Sequence, residues 1–150
     1  MTASLILPLK SAKTQSARFV IDVRLMRKIM SHTELICWQL ADELRLLVIK
    51  HTGEGTRAAV DERFTKNLRD AIASACRNQS EGFYKFKHRQ MKPFFNTARG
   101  SLGETKDGIK EGLDRKYFPR EVADEMQRIC KRAMVANLRF LRSLDRPDPE

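Results

Sequence analysis

Cysteine is scarce in this chain, and what there is does not pair. Cys37, Cys76 and Cys130 are an odd number, lie far apart and form no Cys-x-x-Cys. That excludes a disulfide frame and a paired-cysteine zinc site, and it fits a reducing, cytoplasmic setting with cysteines used as small apolar residues. Histidine is as sparse: His32, His51 and His88 are all there is, and none has a glutamate three residues before it. A di-iron bundle needs two Glu-x-x-His pairs, so that chemistry is excluded, as is a His-Glu-x-x-His zinc site. There is no Walker loop and no Gly-x-Ser-x-Gly elbow; the Gly-Ser-Leu-Gly at Gly100–Gly103 falls within a helical pattern and lacks the Lys-Ser/Thr ending. No apolar run approaches the roughly 20 residues that cross a membrane. Leu5-Ile6-Leu7, followed by Pro8, is too short for the core of a signal peptide. Nothing assembles a nucleophile, a base and an orienting group, so a non-enzymatic role with no cofactor and no metal is expected.

What is present is positive charge and helical periodicity. The 150 residues carry a net charge of +10, a hint of an anionic partner. Residues 1–30 contribute +5 with Asp22 as their one acid, and residues 31–150 contribute the other +5. Within the second part, no acid occurs between Glu81 and Glu104, and Lys85, Lys87, Arg89, Lys92 and Arg99 fall in that gap.

Four segments repeat apolar residues at helical spacing. The first runs from about Thr33 to Thr52, with Cys37, Leu40, Ala41, Leu44, Leu47 and Val48 on one stripe, and stops at the two glycines of HTGEGT. The second runs from about Asp61 to Ser80 on Phe64, Leu68, Ala71, Ile72, Ala75 and Cys76, with Gly82 as its expected stop. The third runs from about Gln90 to Leu113. Its Gly100, Gly103, Gly108 and Gly112 each cost roughly 1 kcal/mol of helix propensity, which implies that close packing needs small side chains there. Pro93 fits only in its first turn. The fourth opens at Pro119, follows Val122, Met126, Ile129, Cys130, Ala133, Asn137, Phe140 and Leu144, and ends before a tail, 145–150, expected to fray. The pattern predicts an all-α protein: an up-down-up-down antiparallel four-helix bundle over 31–144. Residues 1–30 read as a basic extension, coil or a short amphipathic helix.

Acid pairs such as Asp42-Glu43 read as solvated helix faces rather than as acid–base machinery. Trp38 reads as a core or interface residue before it reads as a base-stacking one.

Three blocks carry a family resemblance. WQLADEL at Trp38–Leu44, RDAIASACRNQSEG at Arg69–Gly82 and ARGSLGET at Ala98–Thr105 resemble, in order and at matching spacing, the first three helices of the four-helix-bundle proteins encoded in 23S rRNA intervening sequences. The resemblance spans about residues 33–144. Lys87 stands where a serine cap is usual, Pro93 departs from the pattern, and FYKF replaces a small polar turn. Family members begin near the position of Met30, so 1–29 is expected to be an arm particular to this chain or the product of a wrongly assigned start. The chain is also similar to the accessory variability proteins of diversity-generating retroelements. That similarity implies a five-fold, ring-like homo-oligomer whose basic surface engages nucleic acid and a reverse transcriptase.

Two classes of function remain open at this point, with a minor third. In the first, the basic bundle binds nucleic acid, RNA in preference, through its phosphates. Lys85, Lys87, Arg89, Lys92 and Arg99 are the candidate contacts, and Tyr84 and Phe86 the candidate stacking residues. In the second, the protein is a structural or adaptor oligomer with a protein partner and no nucleic acid, and FYKF is an ordinary turn whose Phe83 and Phe86 seal the bundle end. The third takes Ala17–Met30 as a membrane-surface or targeting helix.

Overall fold

The structure, a computed structural model, describes residues 29–148. All of its regular structure is helical. Four α-helices follow one another: α1 (Ile36–Thr52), α2 (Glu62–Phe83), α3 (His88–Asp114) and α4 (Arg120–Ser143). Short 3-10 turns at His32–Glu34 and Ala58–Val60 precede α1 and α2, and there is no strand among the described residues. The described residues from Ser31 onward form one compact unit. The expected basic extension, apart from its last two residues, lies outside the described residues.

Local chemistry sets the helix ends. Gly53 follows α1, and Gly55, at φ +82°, takes the left-handed conformation that reverses the chain. Asp61 caps α2 by accepting the Phe64 N–H at 2.9 Å. Its second oxygen accepts from the Tyr117 hydroxyl at 2.8 Å and from Arg115 at 3.1 Å, which ties the start of α2 to the connection after α3.

Two expectations are corrected here. Gly82 does not stop α2. It is buried inside the last turn, where a Cβ would stand 2.8 Å from Phe94 Cβ and 2.9 Å from the Phe95 ring. Helix α3 begins at His88, just before the expected start near Arg89 or Gln90, so Pro93 sits in the second turn. It is exposed, and the backbone bond it forfeits is the one to Arg89.

Each helix packs on two neighbours: α1 on α2 and α4, and α3 on α2 and α4, with the α2–α3 seam the most extensive. Leu44 and Val48 of α1, Leu68 and Ile72 of α2, Leu102 and Ile109 of α3, and Met126 and Ile129 of α4 fill the interior. Each contributes about 1.5–3 kcal/mol by leaving water. At one end the core is polar. Gln79, wholly buried, donates its amide to Asn137 Oδ1 at 3.0 Å, and Asn137, also wholly buried, donates to the Phe95 carbonyl at 3.0 Å.

The α3 glycines divide. A Cβ on Gly112 would lie 2.3 Å from the Phe118 ring, and one on Gly108 would lie 2.8 Å from the end of Leu68. Gly100 and Gly103 face open space. Close packing therefore explains the first pair and not the second.

Candidate nucleic-acid interface

The seven residues singled out in the sequence do not form one patch. Tyr84, Lys85, Phe86 and Lys87 make up the connection between α2 and α3. Tyr84 closes the end of α2, and its hydroxyl lies 3.1 Å from His32 Nδ1, with the two rings edge to face. Lys85 is turned onto its own neighbours: its ammonium is 4.9 Å from the centre of the Phe94 ring and 3.8 Å from Glu81. Phe86 is fully exposed, so it does not seal the bundle end. Lys87 is the N-cap of α3, its N–H directed at the Gln90 side chain at 3.3 Å.

Arg89, Lys92 and Arg99 lie on α3 itself. Lys92 is paired with Asp145 at 2.7 Å, whereas Arg89 and Arg99 are exposed and have no ion-pair partner among the described residues. Lys92 and Arg99 are seven residues apart, and Lys106 follows at the same interval. Seven residues are nearly two full turns, so the three share one edge of α3. That edge borders α4: the Lys106 carbonyl accepts from the Gln127 side chain at 2.9 Å, and Asp145 follows directly on the end of α4.

Sequence reading passed over what stands beside this edge. Arg128, Lys131, Arg132, Arg139 and Arg142 are all exposed on α4. At 100° per residue they fall within an arc of about 100°, opposite the buried Met126, Cys130, Ala133 and Asn137. From Arg128 to Arg142 the stripe runs about 21 Å along the helix. None of the five has an ion-pair partner among the described residues, while the cations toward the other end of α3 do: Lys110 with Asp114, and Arg115 with both Asp61 and Glu111. The signal was in the sequence, since no acid occurs between Glu125 and Asp145. It was masked because the cations alternate with core residues and read as an ordinary amphipathic helix.

Residues 145–148 of the tail make contacts with the start of α3. Asp148 accepts the His88 N–H at 2.7 Å, and His88 Nδ1 lies 2.9 Å from the Arg146 carbonyl oxygen. That oxygen can only accept, so the ring nitrogen facing it carries the hydrogen.

The remaining chemistry is quiet. Burial pushes the Cys37 thiol up to about 12, and Cys76 and Cys130 to about 11. No three His, Cys, Asp or Glu side chains among the described residues are placed to hold a metal ion. A groove of about 670 Å³ between α2 and α3 carries Glu104 and Asp107 beside the paired Asp61, Arg115 and Glu111. No helix among the described residues is long and apolar enough to cross a membrane.

No curated protein matches this chain. The family model for 23S rRNA-intervening sequence protein matches residues 33–136, a span that holds α1, α2, α3 and most of α4. The chain belongs to the 23S rRNA-intervening sequence protein family.

Proposed function

We propose that this protein binds nucleic acid, RNA in preference, by phosphate contacts along the α3–α4 face, and that it does so in the cytoplasm without a catalytic step. The observation that carries this reading is the row of five exposed cations on one arc of α4, without an ion-pair partner among the described residues, continued by Arg99 and Lys106 on α3. A polyanion binds such a row by releasing its condensed counterions, which asks for positive charge along a line and for no particular base. Exposed Phe86 at the bundle end supplies a ring on which an unpaired base can stack.

The connections between helices are short, which supports an up-down-up-down antiparallel course. A ring of identical subunits would present the row several times over and convert modest contacts into avidity. Leu46 and Ile49, exposed on α1, support a surface for a second subunit or for a protein partner such as a reverse transcriptase. An adaptor role without nucleic acid is the second reading, and those two residues are what favours it.

The test is a titration of labelled structured RNA and duplex DNA across a salt series, with the full chain and with Lys131, Arg139 and Arg142 reversed to glutamate. Binding should weaken with salt at about 0.7–0.9 of logarithmic slope per phosphate contact. The triple reversal should remove about three contacts from that slope. Absence of binding at low salt, or binding indifferent to the reversal, would overturn the reading.

A further inference from the structure

The same face carries an occupant already. Beyond Ser143 the chain runs along the first turns of α3 toward its beginning. Asp145 meets Lys92 at 2.7 Å, and three residues later Asp148 takes the His88 N–H at 2.7 Å. Between them the Arg146 carbonyl oxygen lies 2.9 Å from His88 Nδ1. Three successive contacts of one segment with one helix make a docked tail rather than a single chance ion pair.

The groups that the tail engages are those a phosphate would use. The first backbone N–H groups of a helix have no partner within it and carry partial positive charge. His88 is the first residue of α3, so its N–H is one of these. Lys92, one turn on, adds a full charge. The Asp148 and Asp145 carboxylates therefore stand in for two phosphate oxyanions at the start of the α3 edge that leads on to Arg99 and Lys106. Among the described residues the α4 cations have no such cover, so the tail shields one end of the face and leaves the α4 row uncovered by any of them.

We infer that Asp145 and Asp148, which flank the exposed Arg146 in the tail, act as an intramolecular competitor of nucleic-acid phosphates, one that a ligand must displace to reach the start of α3. The inference rests on the reading that this face binds nucleic acid. Both contacts are exposed at the surface, with the Asp145 side chain 70% accessible, so the tail is a weak competitor. A strand that already holds several α4 cations displaces it, because the tail is then opposed by many phosphates at once. A lone phosphate or a short oligonucleotide does not gain that advantage. The tail thus raises the number of phosphates that a ligand must present.

The experiment compares three full-length proteins: wild type, D145N/D148N, and E43Q/E54Q. The last removes the same charge at two exposed acids outside any ion pair among the described residues. The probe is a fluorescein-labelled RNA hairpin in low-salt buffer and across a salt series. D145N/D148N should bind about three- to tenfold more tightly than wild type, the range expected from losing two exposed contacts. Its salt slope should be steeper by about one contact. E43Q/E54Q should change affinity by less than about twofold. Equal gains in the two variants would mean that net charge alone is responsible; they would overturn the competitor and leave nucleic-acid binding standing. No binding by any of the three would overturn both. A readout without nucleic acid separates the cases further. The His88 amide proton, hydrogen-bonded to a carboxylate, should move upfield in D148N, and an unchanged amide would show that the docked tail does not form.

Discussion

Two alanine substitutions in the same helix are expected to move stability in opposite directions. Gly100 and Gly112 both lie within α3, and propensity alone assigns each replacement a gain of about 1 kcal/mol. At Gly100 a new methyl meets nothing within 4 Å, so Gly100→Ala should keep that gain. At Gly112 the methyl would stand 2.3 and 2.5 Å from two atoms of the Phe118 ring and 2.9 Å from the tip of Phe64. Carbon atoms pack best at about 3.5–4.0 Å, so the Phe118 ring must retreat by more than about 1 Å. Phe118 is only 3% exposed and its ring lies against Phe64, so there is little room to retreat. Overpacking of this kind costs about 1–3 kcal/mol, and after the propensity gain Gly112→Ala should be destabilised by about 1 kcal/mol. Thermal melts followed by circular dichroism should then separate the two variants by roughly 5–10 °C, with wild type between them. If Gly112→Ala melts at or above Gly100→Ala, the aromatic wedge under the end of α3 is not where the structure places it.

Asp61 gives a pH-dependent counterpart. The Phe64 N–H, then the Tyr117 hydroxyl and Arg115, hold its carboxyl below the ordinary value of 3.8. Stability from a depressed carboxyl is complete above its unfolded value and is lost as pH falls through its folded value. The advantage of wild type over Asp61→Asn in urea unfolding should therefore be constant near neutrality and shrink below about pH 4. A difference that stays unchanged in acid would refute the capping account. The cysteines supply a simpler check. With values of about 11 to 12, no more than about one thiol in a thousand is ionised at pH 8. A disulfide reagent should thus find almost no thiol in the native protein and three after denaturation; rapid reaction of any one in the native state would contradict its burial.

The sequence was most legible where one helix could be read alone. Phe64, Leu68, Ala71, Ile72, Ala75 and Cys76 were placed on one stripe of α2, and all six are buried. Legibility failed where the answer depends on another helix. Gly82 has the look of a helix stop, and only the approach of Phe94 and Phe95 makes it an interior residue. Lys85 looked like a free cation, although Glu81 one turn earlier was a readable warning. The window rich in both charge and aromatics falls on the turn between α2 and α3. The longer α4 row appears only once the helix is wound. The pairing of Lys92 with Asp145 joins positions far apart in the chain, and no local pattern reports it.

The buried amides have a consequence for how the surface is aligned. Apolar side chains forgive a sliding helix, because one methyl packs much as another does. The chain from Gln79 through Asn137 to the Phe95 carbonyl does not. Slipping α4 by one turn, about 5.4 Å, would strand three buried polar atoms at about 1–3 kcal/mol each. The alignment of α4 on α3 is thus held to a single setting from inside. Phe95 lies three residues beyond Lys92, and Asn137 eight before Asp145, so the setting that makes these two buried bonds is also the one that brings the first acid of the tail to its lysine.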